Sequence, residues 1–463
     1  MAHSIAPDVM TKVSPTPKGI PMKKFLALGG VLAVTAAALV GCSGGSDAGS
    51  CQNKIVHSDA TQVSMWAWYP NFKPVVDLFN KTHKDVQICW TNAGAGNDEY
   101  TKFSTAIKAG SGAPDVVMLE SEVVPSYIAD GSILNLSKLG ADKVKGNYSE
   151  GAWSDESKDG DAYAIPVDGG PVGMLYRADL FQKYGITKVP TTWAEYAADA
   201  QKIRAASGGK TLMTDFPGNG RAYQTALFAQ AGNTPFALTG KTSMSIKADD
   251  AASTKVLGYW NDLVQRKLVG TEDASTTDYN THLVDGTYAS VIAAAWLPGY
   301  LQGFTGADKN AVWRAAPVPQ WDAANPTQIN IGGSAFAVSN QAKDKKAATE
   351  VAMDIFGTEA AWKIGIEKAA LFPLWKPILE SDYFKNKAYA FFGGQQINKD
   401  VFLTAATDYK GFQFSPFQNF AYDKLTDAVN STNKAKAAPA QALATYQGNL
   451  VTYAQQQGYK VAQ

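Results

Sequence analysis

Between Val63 and Leu119 the apolar pattern changes period four times, and that alternation constrains the fold more than any other feature of the chain. Val63-Ser64-Met65-Trp66-Ala67-Trp68 reads as a buried strand, and Phe72, Val75, Val76 and Phe79 then recur at helical spacing to about Thr82. Asp85–Trp90 gives a second strand. Tyr100, Phe103 and Ile107 mark a second helix, ended by Gly110, and Ala113–Leu119 leads into a third strand. Strand–helix–strand–helix–strand order predicts a parallel sheet covered by helices, an α/β architecture. Ligands of such sheets sit outside the carboxyl ends of the strands. The segments leaving those ends here carry Trp68-Tyr69, Asn97-Asp98 and Glu120-Ser121.

Further on, Tyr163–Asp168 is another extended run, and Thr192-Trp193-Ala194-Glu195 is a capping box that starts a helix running to about Gly208-Gly209. Asp249–Val269 reads as a helix with Val256, Leu257, Trp260 and Val264 on one stripe. Ser290–Trp296 is a small-residue strand or a turn into the next helix, Asn330–Val338 a strand, and Lys345–Phe356 a helix. At 463 residues the chain exceeds one ordinary core, so two lobes are expected.

The start of the chain sets the compartment. Met22-Lys23-Lys24 is a short basic segment, Phe25–Val40 is apolar, and Leu39-Val40-Gly41-Cys42 follows. That order resembles a bacterial lipobox, which implies cleavage before Cys42 and diacylglycerol on its sulfur. An apolar run of 16 residues is short of the roughly 20 that a spanning helix needs. Ser43–Ser50 then reads as a flexible tether. The expected result is a protein held outside the cell membrane by a lipid. Cys51 and Cys89 both fall in the exported part, where disulfides persist, and are expected to be bridged.

The 42 basic residues cancel the 42 acidic ones, which leaves no net field for nucleic acid. The Gly-x-Ser-x-Gly match at Gly41–Gly45 falls on the lipobox and not on a strand-to-helix elbow, and there is no His-Glu-x-x-His helix or phosphate loop. The histidines His3, His57, His83 and His282 are scattered. Asp155, Ser157, Asp159 and Gly160 faintly resemble a calcium loop, but Pro166 stands where the bidentate Glu belongs. No metal, no cofactor and no catalytic role is expected.

Several segments in order are similar to the family 1 extracellular solute-binding proteins. They are Trp66-Ala67-Trp68; Phe103–Leu119 with its Ala109-Gly110-Ser111-Gly112-Ala113-Pro114-Asp115-Val116-Val117 centre; Tyr127–Gly131 followed by Leu134-Asn135-Leu136; Asp161–Pro166; Leu175–Phe181; and, most specific, Pro190–Glu195. The resemblance spans Val63–Arg204 and, more weakly, Gly286–Leu379. It implies two α/β lobes joined by a hinge, in the manner of a Venus flytrap, with a ligand cleft between them. On that likeness residues 1–41 are an upstream extension and signal, 42–51 the lipidated tether, 52–166 with 331–376 one lobe, and 167–330 with 377–463 the other. It also implies capture of a sugar or short oligosaccharide by a monomer that serves the permease subunits of an ABC importer. A polyamine or metal chelate is the alternative ligand.

A pyranose presents an apolar C–H face and a rim of hydroxyls, so its site needs aromatic rings beside carboxylates and amides. Trp68 or Tyr69 at the first strand end, and Trp296 where the family often places a cleft tryptophan, are the stacking candidates; core packing is the alternative for each. Asn97, Glu120 and Asp168 are the polar candidates, against a reading as solvated surface groups. Gly333, within Gly332-Gly333-Ser334, either admits backbone to a hydroxyl or forms a hinge turn. Phe372, Trp375 and Tyr422 are weaker aromatic candidates.

Overall fold

A computed structural model describes residues 51–240 and 242–462; the signal segment, Cys42 and the tether up to Ser50 lie outside the described residues. The chain opens with β1 (Thr61–Trp66), α1 (Lys73–Thr82), β2 (Val86–Thr91), α2 (Asn97–Ala109) and β3 (Val116–Glu120). β1 lies between β2 and β3 and is parallel to both. Val63 and Met65 alternate with half-buried Ser64 and Trp66 along β1, whereas Val116–Leu119 of β3 are buried without a break. A strand covered on both faces reads as a continuous apolar run. α1 turns Val75, Val76 and Phe79 inward, starting from a proline that suits a first helical turn. α2 stops at Gly110, whose φ of 73° lies in the left-handed region that favours glycine. Cys51 and Cys89 are bonded, tying the segment ahead of β1 to β2.

The second part brings β4 (Ala164–Arg177), α3 (Trp193–Ala206), α4 (Arg221–Gln230), α5 (Ala251–Gln265), β5 (Ser290–Ala294), α6 (Leu297–Leu301), β6 (Trp313–Pro317) and β7 (Asn330–Val338). Helices α7 (Lys345–Asp354), α8 (Gln418–Asn433) and α9 (Pro439–Gln456) follow. The expected parallel pairing holds for β1, β2 and β3 only. The sheet runs β6–β4–β7–β3–β1–β2, with β5 also on β4, and β7 is antiparallel to both β3 and β4. The strand expected to end at Asp168 instead continues nine residues further, to Arg177. Its first part pairs with β7 from Ala164 to Pro171; from Val172 onward it pairs with β5 and β6.

β4 therefore feeds two main cores, while its Ala164 joins a smaller third cluster with Phe103, Val117 and Leu119. One contains Val63, Met65, Phe72, Ile165, Phe336, Phe356 and Trp362, together with Ile378, Phe384 and Phe402. The other contains Val172, Met174, Trp193, Tyr196, Phe216, Trp260, Leu425 and Leu443. Its centre is aromatic: Trp260 stacks on Phe216 at 4.9 Å and meets Trp193 edge-on at 5.5 Å. The capping box of α3 is formed, with Thr192 accepting from the Glu195 N–H and Glu195 accepting from the Thr192 N–H.

Where β4 passes between the two cores, Gly169 and Gly170 lie beside Gly332 and Gly333 of β7. The ladder is bulged between Asn330 and Gly333, and Gly332 and Gly333 have φ of 75° and 120°. A Cβ on Gly170 would collide with the Ile331 carbonyl, so the two backbones approach as closely as only glycine allows.

Candidate ligand-binding cleft

The crossing strands leave a cleft of about 740 Å³ above them. Asn97, Tyr100, Glu120 and Glu122 form one wall, Asp215, Arg221, Tyr223 and Tyr279 the other, and Val291–Ala294 with Ile331 the floor. A recess of about 240 Å³ lies beside it, lined by Trp68, Tyr69, Asp168, Gly332, Gly333 and Ser334. Glu120, Trp296 and Tyr300 border both spaces.

Local sequence explains how these groups arrive. β5 is a run of small and branched residues, all buried, that carries the chain straight to Trp296. Pro298 then starts α6, and the strand-to-helix turn leaves the indole at the cleft edge. The indole is held there, with Nε1–H donating to the Ile331 carbonyl at 3.2 Å and Tyr300 edge-on at 5.9 Å. Tyr300 is 49% exposed, unusual for a large ring. Trp68 follows the end of β1, half-buried and edge-on to Tyr100 at 5.6 Å.

Glu120 is fixed from two sides. The Tyr100 hydroxyl donates to its carboxylate at 2.9 Å and accepts from its backbone N–H at 3.1 Å. Burial pushes the Glu120 carboxyl up, and it pushes the neighbouring Glu122 up to about 8 with help from the Glu120 charge. The Tyr422 hydroxyl donates to Glu122 at 2.9 Å. In the recess the Tyr69 hydroxyl donates to Ser334 at 2.5 Å, and Ser334 in turn donates to Asp168. Burial raises Asp168 to about 7. These acids accept hydrogen bonds in space where an ionised carboxylate is costly. Among the described residues no cluster of His, Cys, Asp or Glu is arranged to hold a metal ion.

The structure thus places Asn97, Glu120 and Trp296 on the cleft and Trp68, Tyr69, Glu120, Asp168, Trp296 and Gly333 on the recess beside it. Two of the expected site residues, Tyr69 and Phe372, need correction. The Tyr69 ring is buried among Phe72, Phe336 and Phe356, so only its hydroxyl serves the recess. Phe372 is not in the cleft: it is 3% exposed and packs edge-on against Phe384 and Phe402, because the apolar surface beneath β4 claims it. Tyr422 reaches the cleft wall, as do residues that the sequence did not single out, namely Glu122, Asp215, Arg221, Tyr223, Tyr279 and Tyr300. Tyr300 carried a readable signal, since it stands four residues after Trp296 and so shares its helical face.

Two cores sharing crossing strands, with rings and acids facing a cleft between them, define a two-lobe solute-binding fold. The family profile described as bacterial extracellular solute-binding protein matches residues 67–354, and the chain belongs to that family. It is similar to the ABC transporter associated binding protein of B. animalis subsp. lactis Bl-04, solved in complex with beta-1,6-galactobiose. That likeness has a TM-score of 0.73 and 29% identity, covering 87% of this chain and 100% of that one. The galacto-N-biose-/lacto-N-biose I-binding protein of Bifidobacterium longum shares the fold at a TM-score of 0.75 and 23% identity, over 87% and 99% of the two chains. The lactose-binding protein of Rhizobium radiobacter is 23% identical over 386 residues, 79% of this chain and 84% of that protein.

Proposed function

We propose that this protein captures a neutral sugar or short oligosaccharide outside the cell membrane and delivers it to the permease of an ABC importer. The observation that carries the reading is the Trp296–Tyr300 pair, which borders the same space as Glu120 and Asp168. Such rings suit the C–H face of a pyranose, and the acids suit its hydroxyls. Relatives named for lactose and arabinooligosaccharide binding support the ligand class. Burial raises the pKa of Glu122 to about 8 and that of Asp168 to about 7, which suits neutral hydroxyl partners.

In this account residues 52–166 with 331–376 form most of one lobe and 167–330 with 403–463 most of the other, residues 377–402 pack into the first core through Ile378, Phe384 and Phe402, and the glycine crossing of β4 and β7 is the hinge. The ligand settles on one lobe, and hinge closure brings the second lobe's groups onto it. Closure is favoured only by the extra contacts made in the closed state. Cys42 anchors the monomer through its lipid, and the bound molecule is released unchanged, as befits a family of binding proteins rather than enzymes. Isothermal titration of the mature chain against neutral mono- and oligosaccharides, with putrescine and ferric citrate alongside, tests the proposal. Saturable heat with a sugar, at an affinity near micromolar or about 8 kcal/mol, is expected. Heat from putrescine or the chelate alone, or hydrolysis of the bound sugar, would overturn it.

A further inference from the structure

The cleft wall opposite Glu120 holds two polar groups with nothing to bond. Asp215 is 4% exposed, and its Oδ2 has no hydrogen-bond partner among the described residues. The Tyr223 hydroxyl, at the start of α4, is likewise buried and unpartnered. Both residues line the cleft. A buried polar atom without a partner costs roughly 1–3 kcal/mol, and two such atoms on one wall of an open cleft mark a place for a ligand to complete.

The other side of Asp215 is fully engaged. Its Oδ1 accepts from the Glu272 N–H at 3.1 Å and from the Tyr288 hydroxyl at 3.0 Å. Tyr288 also stands 2.7 Å from Glu272, and Glu272 is paired with His282 at 2.8 Å. The chain Asp215–Tyr288–Glu272–His282 therefore runs from the cleft wall outward to a half-buried histidine. Gly270 makes room for it, since a Cβ there would strike both Asp215 and Tyr288. Within the cluster Asp215 Oδ2 is the one buried polar atom left without a partner among the described residues.

We infer that Asp215 and Tyr223 form a second hydroxyl-reading wall of the cleft, Asp215 accepting from and Tyr223 donating to a neutral sugar, with Tyr288 and Glu272 as positioning residues. The inference rests on the sugar-binding reading above and extends it, since it assigns the recognition of hydroxyls to both walls. A single hydroxyl proton on Tyr288 cannot serve Asp215 and Glu272 fully at once. Burial raises Asp215 to about 7, and the charges of Glu272 and Asp273 add to the effect. The titratable groups facing it are Glu272 and Asp273 from the following loop, Tyr279 from the next helix, Tyr288, and Tyr223 from α4. A ligand O–H donated to Oδ2 favours the ionised form, so binding lowers the pKa of Asp215 and is strongest above pH 7.

The test titrates wild type, Asp215→Asn, Tyr288→Phe and Tyr223→Phe with beta-1,6-galactobiose and lactose at several pH values from 5.5 to 8. Wild type is expected to bind more tightly at pH 8 than at pH 5.5. Asp215→Asn should lose about tenfold at pH 8 and little at pH 5.5, flattening the profile, because Glu120, Glu122, Asp168 and Arg221 remain in both proteins. Tyr288→Phe should move the midpoint to higher pH, since Tyr288 stabilises the carboxylate. A role confined to structure would leave that midpoint in place. Tyr223→Phe should weaken binding about equally throughout. Wild-type binding with an Asp215→Asn profile that parallels it, or with Tyr223→Phe unchanged, overturns this inference alone. If wild type binds neither these two sugars nor any other of the neutral mono- and oligosaccharides above at any pH, the sugar-binding reading fails and this inference with it.

Discussion

Replacing Glu156 by Gln should stabilise the fold in a way that grows with pH. Glu156 is 1% exposed in the small space between the two cores that Asp155 and Asp168 also line. Ser121 donates to its Oε1 at 2.5 Å, and its Oε2 has no partner among the described residues. Burial, with the charge of Asp155 adding to it, raises its pKa from the ordinary 4.5 to about 8. The folded protein therefore holds this carboxyl neutral at pH 7, whereas the unfolded chain ionises it. The sign follows: a carboxyl raised on folding favours the fold at low pH, and that contribution is lost as the pH climbs above 4.5. The loss is about 1.4 kcal/mol per pH unit, so about 3 kcal/mol at pH 7 and under about 1 kcal/mol at pH 5. Glutamine fills the same space and carries no charge at either pH. Urea unfolding should show the stability gap between variant and wild type widening by about 2–3 kcal/mol from pH 5 to pH 7, with an unchanged denaturant slope. Parallel pH profiles for the two proteins would refute the reasoning.

Trp296→Ala removes the ring shared by cleft and recess and should weaken sugar binding by about 1 kcal/mol or more, roughly fivefold or greater by titration; unchanged affinity would remove it from the site. Gly170→Ala drives a methyl into the Ile331 carbonyl and should destabilise by about 1–3 kcal/mol. A thermal midpoint equal to wild type would show that the strand crossing yields more freely than its geometry implies. Replacing both Cys51 and Cys89 by Ser opens a loop of sequence separation 38 and should cost about 4 kcal/mol in urea unfolding. An unaltered unfolding midpoint would contradict that.

The first α/β unit was legible because its signals are local. The apolar period of β1–α1–β2–α2–β3, the Gly110 stop and the Thr192–Glu195 box each depend on neighbours within a few residues. The crossing of β4 was not legible. Gly169-Gly170-Pro171 reads as a break in any strand, and only the approach of β7, some 160 residues away, makes an extended path through those glycines favourable. The antiparallel insertion of β7 is hidden for the same reason, since pairing partners leave no local mark. At the site, strand ends located Glu120 and Trp68 because loops after parallel strands converge. Phe372 was misplaced because an aromatic beside a proline looks alike in a core and in a cleft. Asp215 escaped notice because its meaning comes from Tyr288 and Glu272, which are distant in sequence, and from an oxygen left without a partner.

Small-angle scattering of the mature protein, with and without a sugar that gives saturable heat, addresses the hinged clamp itself. Occupancy should shrink the radius of gyration as the lobes close over the Trp296 side of the cleft. A profile unchanged at saturation would mean that the halves do not move together around their ligand.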